Sequence, residues 1–156
     1  MIVILENVRS SFNVGAIFRT ADAVGAEKIY LCGITPAPAD KFGRVNSEIA
    51  KVALGSEKYL NWEKIGSVLS LAKKLRGAGY KILAVEQDKR AVPYSQFKIQ
   101  YSKFALVVGN ETVGLSKPVL KFVDKILEIP MRGRKESLNV AVAFGIVAYG
   151  LTEFVK

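Results

Sequence analysis

The sequence contains no histidine and a single cysteine, Cys32. The first absence removes the side chain most used for proton transfer near neutral pH, so any chemistry here must rest on other groups. Together the two absences remove the usual zinc ligand sets, and a lone cysteine closes no intrachain disulfide. No metal site is therefore expected, and the cysteine usage is compatible with a reducing compartment. Long apolar runs are missing as well. The opening MIVILENVRSS shows no signal-peptide pattern, because its short apolar stretch soon meets Glu6. The longest uncharged stretch, residues 137–152, contains Asn139 and falls short of the ~20 residues of a spanning helix. A soluble protein of the cytoplasm, away from membranes, is the expectation. Two nucleotide signatures are also absent: no G-x-G-x-x-G follows a strand pattern, and no G-x-x-x-x-G-K-[ST] occurs.

What is present is a basic, strongly hydrophobic chain. Its 156 residues carry 23 Lys plus Arg against 14 Asp plus Glu, a net charge of +9, and half of them are hydrophobic. That length and composition fit one folded domain over residues 1–156, with no separate second domain. The charge surplus favours a polyanionic partner, nucleic acid foremost, although a basic surface can also serve solubility alone.

Apolar runs alternate with helical periodicity. IVIL, KIYLCG, KILAVE, FALVVG and KILEIP read as strands. Val14, Ile17, Phe18, Ala21 and Val24 keep helical spacing, with Asn13 as a candidate cap and Gly25 as a stop. A helix is expected near residues 47–54, an amphipathic one over residues 61–80, a short one from Ser116, and a long one from Ser137 to about Val155. Such alternation predicts an α/β domain with a mainly parallel sheet flanked by helices, and ligands in such sheets sit beyond the carboxyl ends of the strands.

Three loops at such ends stand out. In ENVRSSFNVG, leading into the first helix, Gly15 and Arg19 are four apart and share a helix face. A glycine one turn below an arginine leaves room for a ligand to approach the guanidinium; equally, most helical arginines are plain surface charges. In GNETVGLS, two glycines frame polar residues directly after a strand, which suits either a ligand-facing turn or an ordinary strand-to-helix turn capped by Ser116. In PMRGRKESLN, three basic residues precede a nearly all-apolar helix of the kind buried in a core or at a subunit interface. Asn139 within it then needs partners for its amide, and Ser137 is a candidate cap.

The ordered stretches NVRSSFNVGAIFRTADAVGA, LVVGNETVGLS and IPMRGRKESLNVAVA together resemble the SpoU (TrmH-type) family of SPOUT RNA 2′-O-ribose methyltransferases. The resemblance runs from Asn7 to the C-terminus. It implies a SPOUT fold with a deep trefoil knot near the C-terminus, a homodimer, S-adenosylmethionine as cofactor, and tRNA or rRNA as substrate. Carried over by position, it implies catalytic roles for Arg19, Asn13, Ser137 and Asn139. Gly109, Asn110, Glu111, Ile129, Met131, Ser137 and Leu138 are implied to bind the cofactor. Many members have serine where this chain has Ala141. Arg9, Lys41, Arg44, Arg132, Arg134 and Lys135 flank the three loops and are the expected RNA contacts. The rival expectation is a non-catalytic RNA-binding or ribosome-assembly factor on the same fold. A methyltransferase of the Rossmann type is disfavoured by the missing glycine-rich turn.

Overall fold

The computed structural model describes residues 1–152. In chain order its elements are β1 (Ile2–Glu6), α1 (Ser11–Ala23), β2 (Lys28–Cys32), α2 (Ser47–Ala53), α3 (Ser56–Tyr59), β3 (Trp62–Ile65), α4 (Val68–Gly77) and β4 (Lys81–Val85). There follow β5 (Val92–Pro93), a single 3-10 turn (Tyr94–Gln96), β6 (Phe104–Val108), α5 (Lys117–Phe122), β7 (Lys125–Glu128) and α6 (Val140–Thr152). The described residues form one seven-stranded sheet in the order β3-β2-β1-β6-β4-β7-β5, parallel at every pairing. The α/β expectation holds.

β1 and β6 lie inside the sheet and are buried along their whole length, which is why they read as unbroken apolar runs rather than as alternation. Residues of each strand alternate between two cores. Val3 and Leu5 join Val14, Ile17, Phe18, Ile49, Phe144 and Val147, so α1, α2 and α6 cover one face. Ile2 and Ile4 join Val68, Leu71, Leu75 and Val119, so α4 and α5 cover the other.

Several local expectations are corrected. The segment 61–80 is not one helix: Trp62–Ile65 pairs with Ile29–Cys32 as the edge strand β3, and Ser67 then caps α4 by accepting from Ser70 N. Its polar, half-exposed composition reads as helix, and tertiary pairing overrides it. β5 was not anticipated, since its proline is tolerated only because the strand is two residues at the sheet edge. Ser10, not Asn13, caps α1, accepting from Asn13 N at 3.2 Å. The last helix starts at Val140 rather than Ser137, and Asn139 caps it through Ala141 N (2.9 Å) and Val142 N (3.3 Å). Its expected end near Val155 lies outside the described residues.

Gly15 is corrected too. It opens no path toward Arg19; a Cβ there would lie 2.7 Å from Ile49 O and 2.9 Å from Val52 Cβ. The glycine is the point at which α2 crosses against α1. Overpacking such a contact costs ~1–3 kcal/mol, more than the helix preference of alanine returns. Gly77, with nothing within 4 Å of an added Cβ, is the counter-case. Gly15→Ala is expected to lower the urea midpoint of unfolding, and Gly77→Ala to leave it unchanged or raise stability by up to ~0.5 kcal/mol.

Candidate functional site

Because every strand runs the same way, the loops after β1, β4, β6 and β7 all emerge at one edge of the sheet. The sequence decides how each loop is held there. Glu6, buried at the end of β1, accepts from Ser116 N (2.8 Å) and Ser116 Oγ (2.7 Å), tying β1 to the start of α5. Ser116 is thus engaged with Glu6 rather than capping α5 through its side chain. Asn7 takes a left-handed backbone (φ 54°) and its carbonyl accepts from Asn110 Nδ2 at 2.8 Å. Asn110 Oδ1 in turn accepts from Thr112 N and Val113 N, closing the second loop into a tight turn. Gly109 is required by that turn, since a Cβ would lie 2.6 Å from Gly114 C and Leu115 N.

With Ser10 as the cap, the Asn13 side chain is free for other partners. Its Nδ2 donates to Glu111 Oε1 (3.0 Å), and its Oδ1 accepts from Asn139 Nδ2 (3.0 Å). Glu111 also accepts from Arg9 N (3.0 Å) and Ser10 N (3.1 Å). The three stretches singled out in the sequence therefore meet at one buried amide. Asn139 itself is exposed, contrary to the expectation of a buried amide within the helix, because it sits at the cap and not inside α6. Burial pushes the Glu111 carboxyl upward. The hydrogen bonds from Arg9 N and Asn13, with those from backbone N–H groups of Glu111 and Ser10, outweigh it and leave the pKa below the ordinary value of 4.5.

Beside this junction lies a cleft of about 160 Å³. Gly109, Asn110, Glu111, Ile129, Met131, Ser137 and Leu138 all line it, so the seven expected cofactor residues converge. Val85, Glu86, Gln87, Glu128, Val140 and Ala143 line it as well and were missed. The signal available for them was positional, since the loop after β4 is also at a carboxyl end of a strand. Glu86 is anchored there by Leu115 N (2.8 Å) and Gln87 N (2.9 Å). A second cavity, of about 290 Å³, opens among Glu6, Asn7, Gly33, Gly66, Ser67 and Ser116. Its size is greater, but it touches neither Glu111, Asn13 nor Asn139.

Arg19 does not line the cleft. It is exposed on α1, and among the described residues its side chain makes no hydrogen bond or ion pair. Asn13 and Asn139 reach the site through Glu111 and each other, whereas Ser137 lies on the cleft wall. Arg9, Lys41, Arg44, Arg132, Arg134 and Lys135 are all exposed, on the loops after β1, β2 and β7. Cys32 offers no nucleophile: burial first, then the charge of Glu6, pushes its thiol up to about 12. Among the described residues no group of His, Cys, Asp and Glu gathers as a metal site, and no helix is long and apolar enough to cross a membrane.

A model of the SpoU rRNA methylase family matches residues 1–149. The tRNA (guanosine(18)-2′-O)-methyltransferase of Aquifex aeolicus is 35% identical over 150 residues, 96% of this chain and 67% of that protein. The crystal structure of the A. aeolicus TrmH/SpoU tRNA modifying enzyme superposes with a TM-score of 0.83 at 34% identity, covering 98% of this chain and 74% of the other. The AdoMet-bound rRNA methyltransferase of Sinorhizobium meliloti gives 0.86 at 30% identity, covering 96% and 54%. The chain spans between 57 and 67% of the length of the curated relatives compared.

The Glu111 junction has a pH signature. A carboxylate held below its ordinary pKa contributes stability that is full above 4.5 and lost as pH falls through the lower folded value. Glu111→Gln is expected to cost ~1 kcal/mol at pH 7, discounted for its partial exposure. The deficit should shrink toward zero in acid. Guanidinium unfolding of both proteins at pH 7 and pH 3 measures it, and equal deficits at the two pH values would contradict the assignment.

Proposed function

The chain belongs to the SpoU rRNA methylase family, and from that premise we propose that it methylates a ribose 2′-hydroxyl of tRNA or rRNA in the cytoplasm, using S-adenosylmethionine. The observation that carries this reading is the convergence of the loops after β6 and β7 on one cleft, with Glu111, Asn13 and Asn139 joined beside it. The cleft fits that cofactor. Val85, Ile129, Leu138 and Val140 offer apolar surface suited to a purine, while Glu86 and Glu128 offer carboxylates suited to hydroxyls and a cationic centre. When bound, S-adenosylmethionine supplies a methyl group on a sulfonium, a leaving group already prepared.

The chain's own task is then to position the hydroxyl and manage its proton. A guanidinium is a poor base. The proposed role of Arg19 is to grip the phosphate next to the target ribose and stabilise developing charge on the 2′-oxygen. Ser137 at the cleft wall and Asn139 at the head of α6 are assigned to orient the nucleotide, and Asn13 to hold Asn139 in place.

A homodimer is part of the proposal. α6 buries Phe144, Val147, Ala148 and Leu151, yet its outward side carries Val142 at 50% and Tyr149 at 47% exposure. An apolar outer face beside α1 is what a second copy would cover. Since Arg19 stands outside the cleft of its own chain, a dimer through α1 and α6 is also the arrangement that would bring it to a bound ribose.

The proposed trefoil knot draws support from topology. β5 lies beyond β7 at the sheet edge, while the chain returns from it to β6 on the other side of β4. β7 then fills the slot between β4 and β5, the two strands that the connection 86–91 joins. α6 ends packed so closely on the turn after β5 that a Cβ at Gly150 would lie 2.7 Å from the Tyr94 ring.

Isothermal calorimetry with S-adenosylmethionine and tritiated-methyl transfer to tRNA and rRNA fractions test the reading. Absence of binding at millimolar cofactor would leave the non-catalytic factor instead. Arg19→Ala is expected to reduce transfer by ~100-fold or more with cofactor affinity unchanged. Arg19→Lys should fail similarly, because a point charge does not reproduce the planar fork. Light scattering at micromolar concentration should report a dimer; a monomer would contradict that part.

A further inference from the structure

After β2 the chain makes an excursion, residues 33–46, that the cleft does not use. Its tip is a tightly built hairpin. Ala39 and Val45 bridge in antiparallel fashion, Asp40 N donates to Arg44 O (3.0 Å), and Gly43 N donates to Asp40 O (3.0 Å). The Asp40 carboxylate accepts from Phe42 N (2.8 Å) and Arg44 N (3.0 Å), and pairs with Arg44 Nε at 3.0 Å. Gly43 supplies the left-handed residue of the turn (φ 79°). The base is fixed too, because Asn46 caps α2 and donates to Ser11 Oγ at the start of α1 (3.2 Å). The hairpin is thus fastened to the first turn of α1, where Ser10 and Asn13 meet Glu111.

This frame holds out Phe42 with 69% of its surface exposed. The ring is not bare: Lys41 Nζ lies 5.0 Å and Arg44 Cζ 5.1 Å from its centroid. The hydrogen bonds and ion pair of the tip hold the ring in an ordered, solvent-facing position, open to an occupant. Two cations about 5 Å from an exposed ring suit a ligand with both a π-surface and negative charge. An unpaired nucleotide has both: its base stacks on an aromatic ring and its phosphates meet lysine and arginine.

We infer that Phe42, with Lys41 and Arg44, is a stacking platform for an unpaired base of the RNA substrate, set apart from the nucleotide that enters the cleft. The inference rests on the RNA-methylating reading and adds to it a mode of recognition. Stacking is tolerant of base identity, so Phe42 contributes affinity and register rather than choice of base. Lys41 and Arg44 contribute the salt-dependent part.

The test is fluorescence anisotropy of the full chain with a labelled, unmodified tRNA transcript and with a labelled single-stranded oligoribonucleotide, each across a salt series. Phe42→Ala is expected to weaken binding to the single strand by about tenfold or more, and Phe42→Trp to preserve it. Because Phe42→Ala removes no cation, the slope of log affinity against log salt should stay as in the native chain. Lys41→Ala and Arg44→Ala should each reduce that slope by about 0.7 to 0.9. Melting temperature and cofactor calorimetry accompany every variant, and both should match the native chain. Unchanged RNA binding by Phe42→Ala, alongside normal methyl transfer, overturns the platform and leaves the proposed function standing. Loss of the dimer in Phe42→Ala with RNA affinity intact also overturns it, assigning the hairpin to contact between copies. If the native chain binds neither RNA nor S-adenosylmethionine, both readings fall together.

Discussion

The Asn13 side-chain amide is the interaction on which the rest of the site depends. It is 6% exposed, so each of its polar atoms needs a partner. It gives its N–H to Glu111 and accepts from Asn139. Those two residues are 98 and 126 positions away in sequence. Glu111 then collects the N–H groups of Arg9 and Ser10 at the head of α1, and Asn139 Oδ1 collects those of Ala141 and Val142 at the head of α6. Loss of the Asn13 amide would remove the one side chain that joins Glu111 to Asn139, leaving α1, the loop after β6 and α6 tied only by the bonds from Arg9 N and Ser10 N and by the core. Hydrogen bonds of this kind contribute little net stability each, yet are expensive to leave unmade. That asymmetry fixes geometry better than apolar packing does.

The sheet provides what the amide acts upon. Parallel pairing throughout sends every strand-to-helix loop to the same edge, and β1 and β6 side by side put the loops carrying Asn7 and Asn110 within hydrogen-bonding distance. Inserting β7 between β4 and β5 draws the third loop across to them. Glu6 and Thr35, both buried, hold the neighbouring loops down: Thr35 Oγ1 accepts from Val8 N and donates to the carbonyl oxygens of Leu5 and Cys32. Polar side chains placed at the carboxyl ends of β1 and β2, rather than within the strands, convert an ordinary sheet edge into a shaped surface.

Much of this was legible from the residues, and the failures have physical causes. Central strands read clearly because both their faces are buried, so IVIL and FALVV are apolar at each position. The edge strand WEKI did not, because half of it meets solvent and Glu63 pairs with Lys28 across the edge at 2.6 Å. The motif loops were legible as stretches, and the cleft gathers their residues; what spacing cannot reveal is which partner each side chain takes. Gly15 illustrates the limit. Its position one turn below Arg19 suggested space for a ligand, whereas the space is filled by the backbone of α2. The start of α6 shows another: Ser137 reads as the cap, yet Asn139 takes the N–H groups of Ala141 and Val142, a choice made by hydrogen bonds that spacing does not reveal.

The distribution of rigidity bears on the chemistry. Residues tied to the junction are committed: Glu111 accepts from Arg9 N, Ser10 N and Asn13 Nδ2, and Asn13 is satisfied at both ends. Arg19 is the opposite case, exposed and without partners among the described residues. A chain without histidine, whose one thiol is pushed up to about 12, lacks the side chain most used to exchange a proton near neutral pH and offers no ready thiolate. Under the proposed methyl transfer the enzyme therefore works by placement and charge more than by a tuned base. An uncommitted guanidinium suits that division, because it keeps its full charge and all its donors for the phosphate and the developing oxyanion. Fixing it in advance by a carboxylate would have neutralised the charge that the proposed role requires. The same logic separates Arg19 from Arg44, which is paired with Asp40 and held against Phe42: under the two proposals one arginine is left for a reacting oxygen and the other belongs to a surface for RNA.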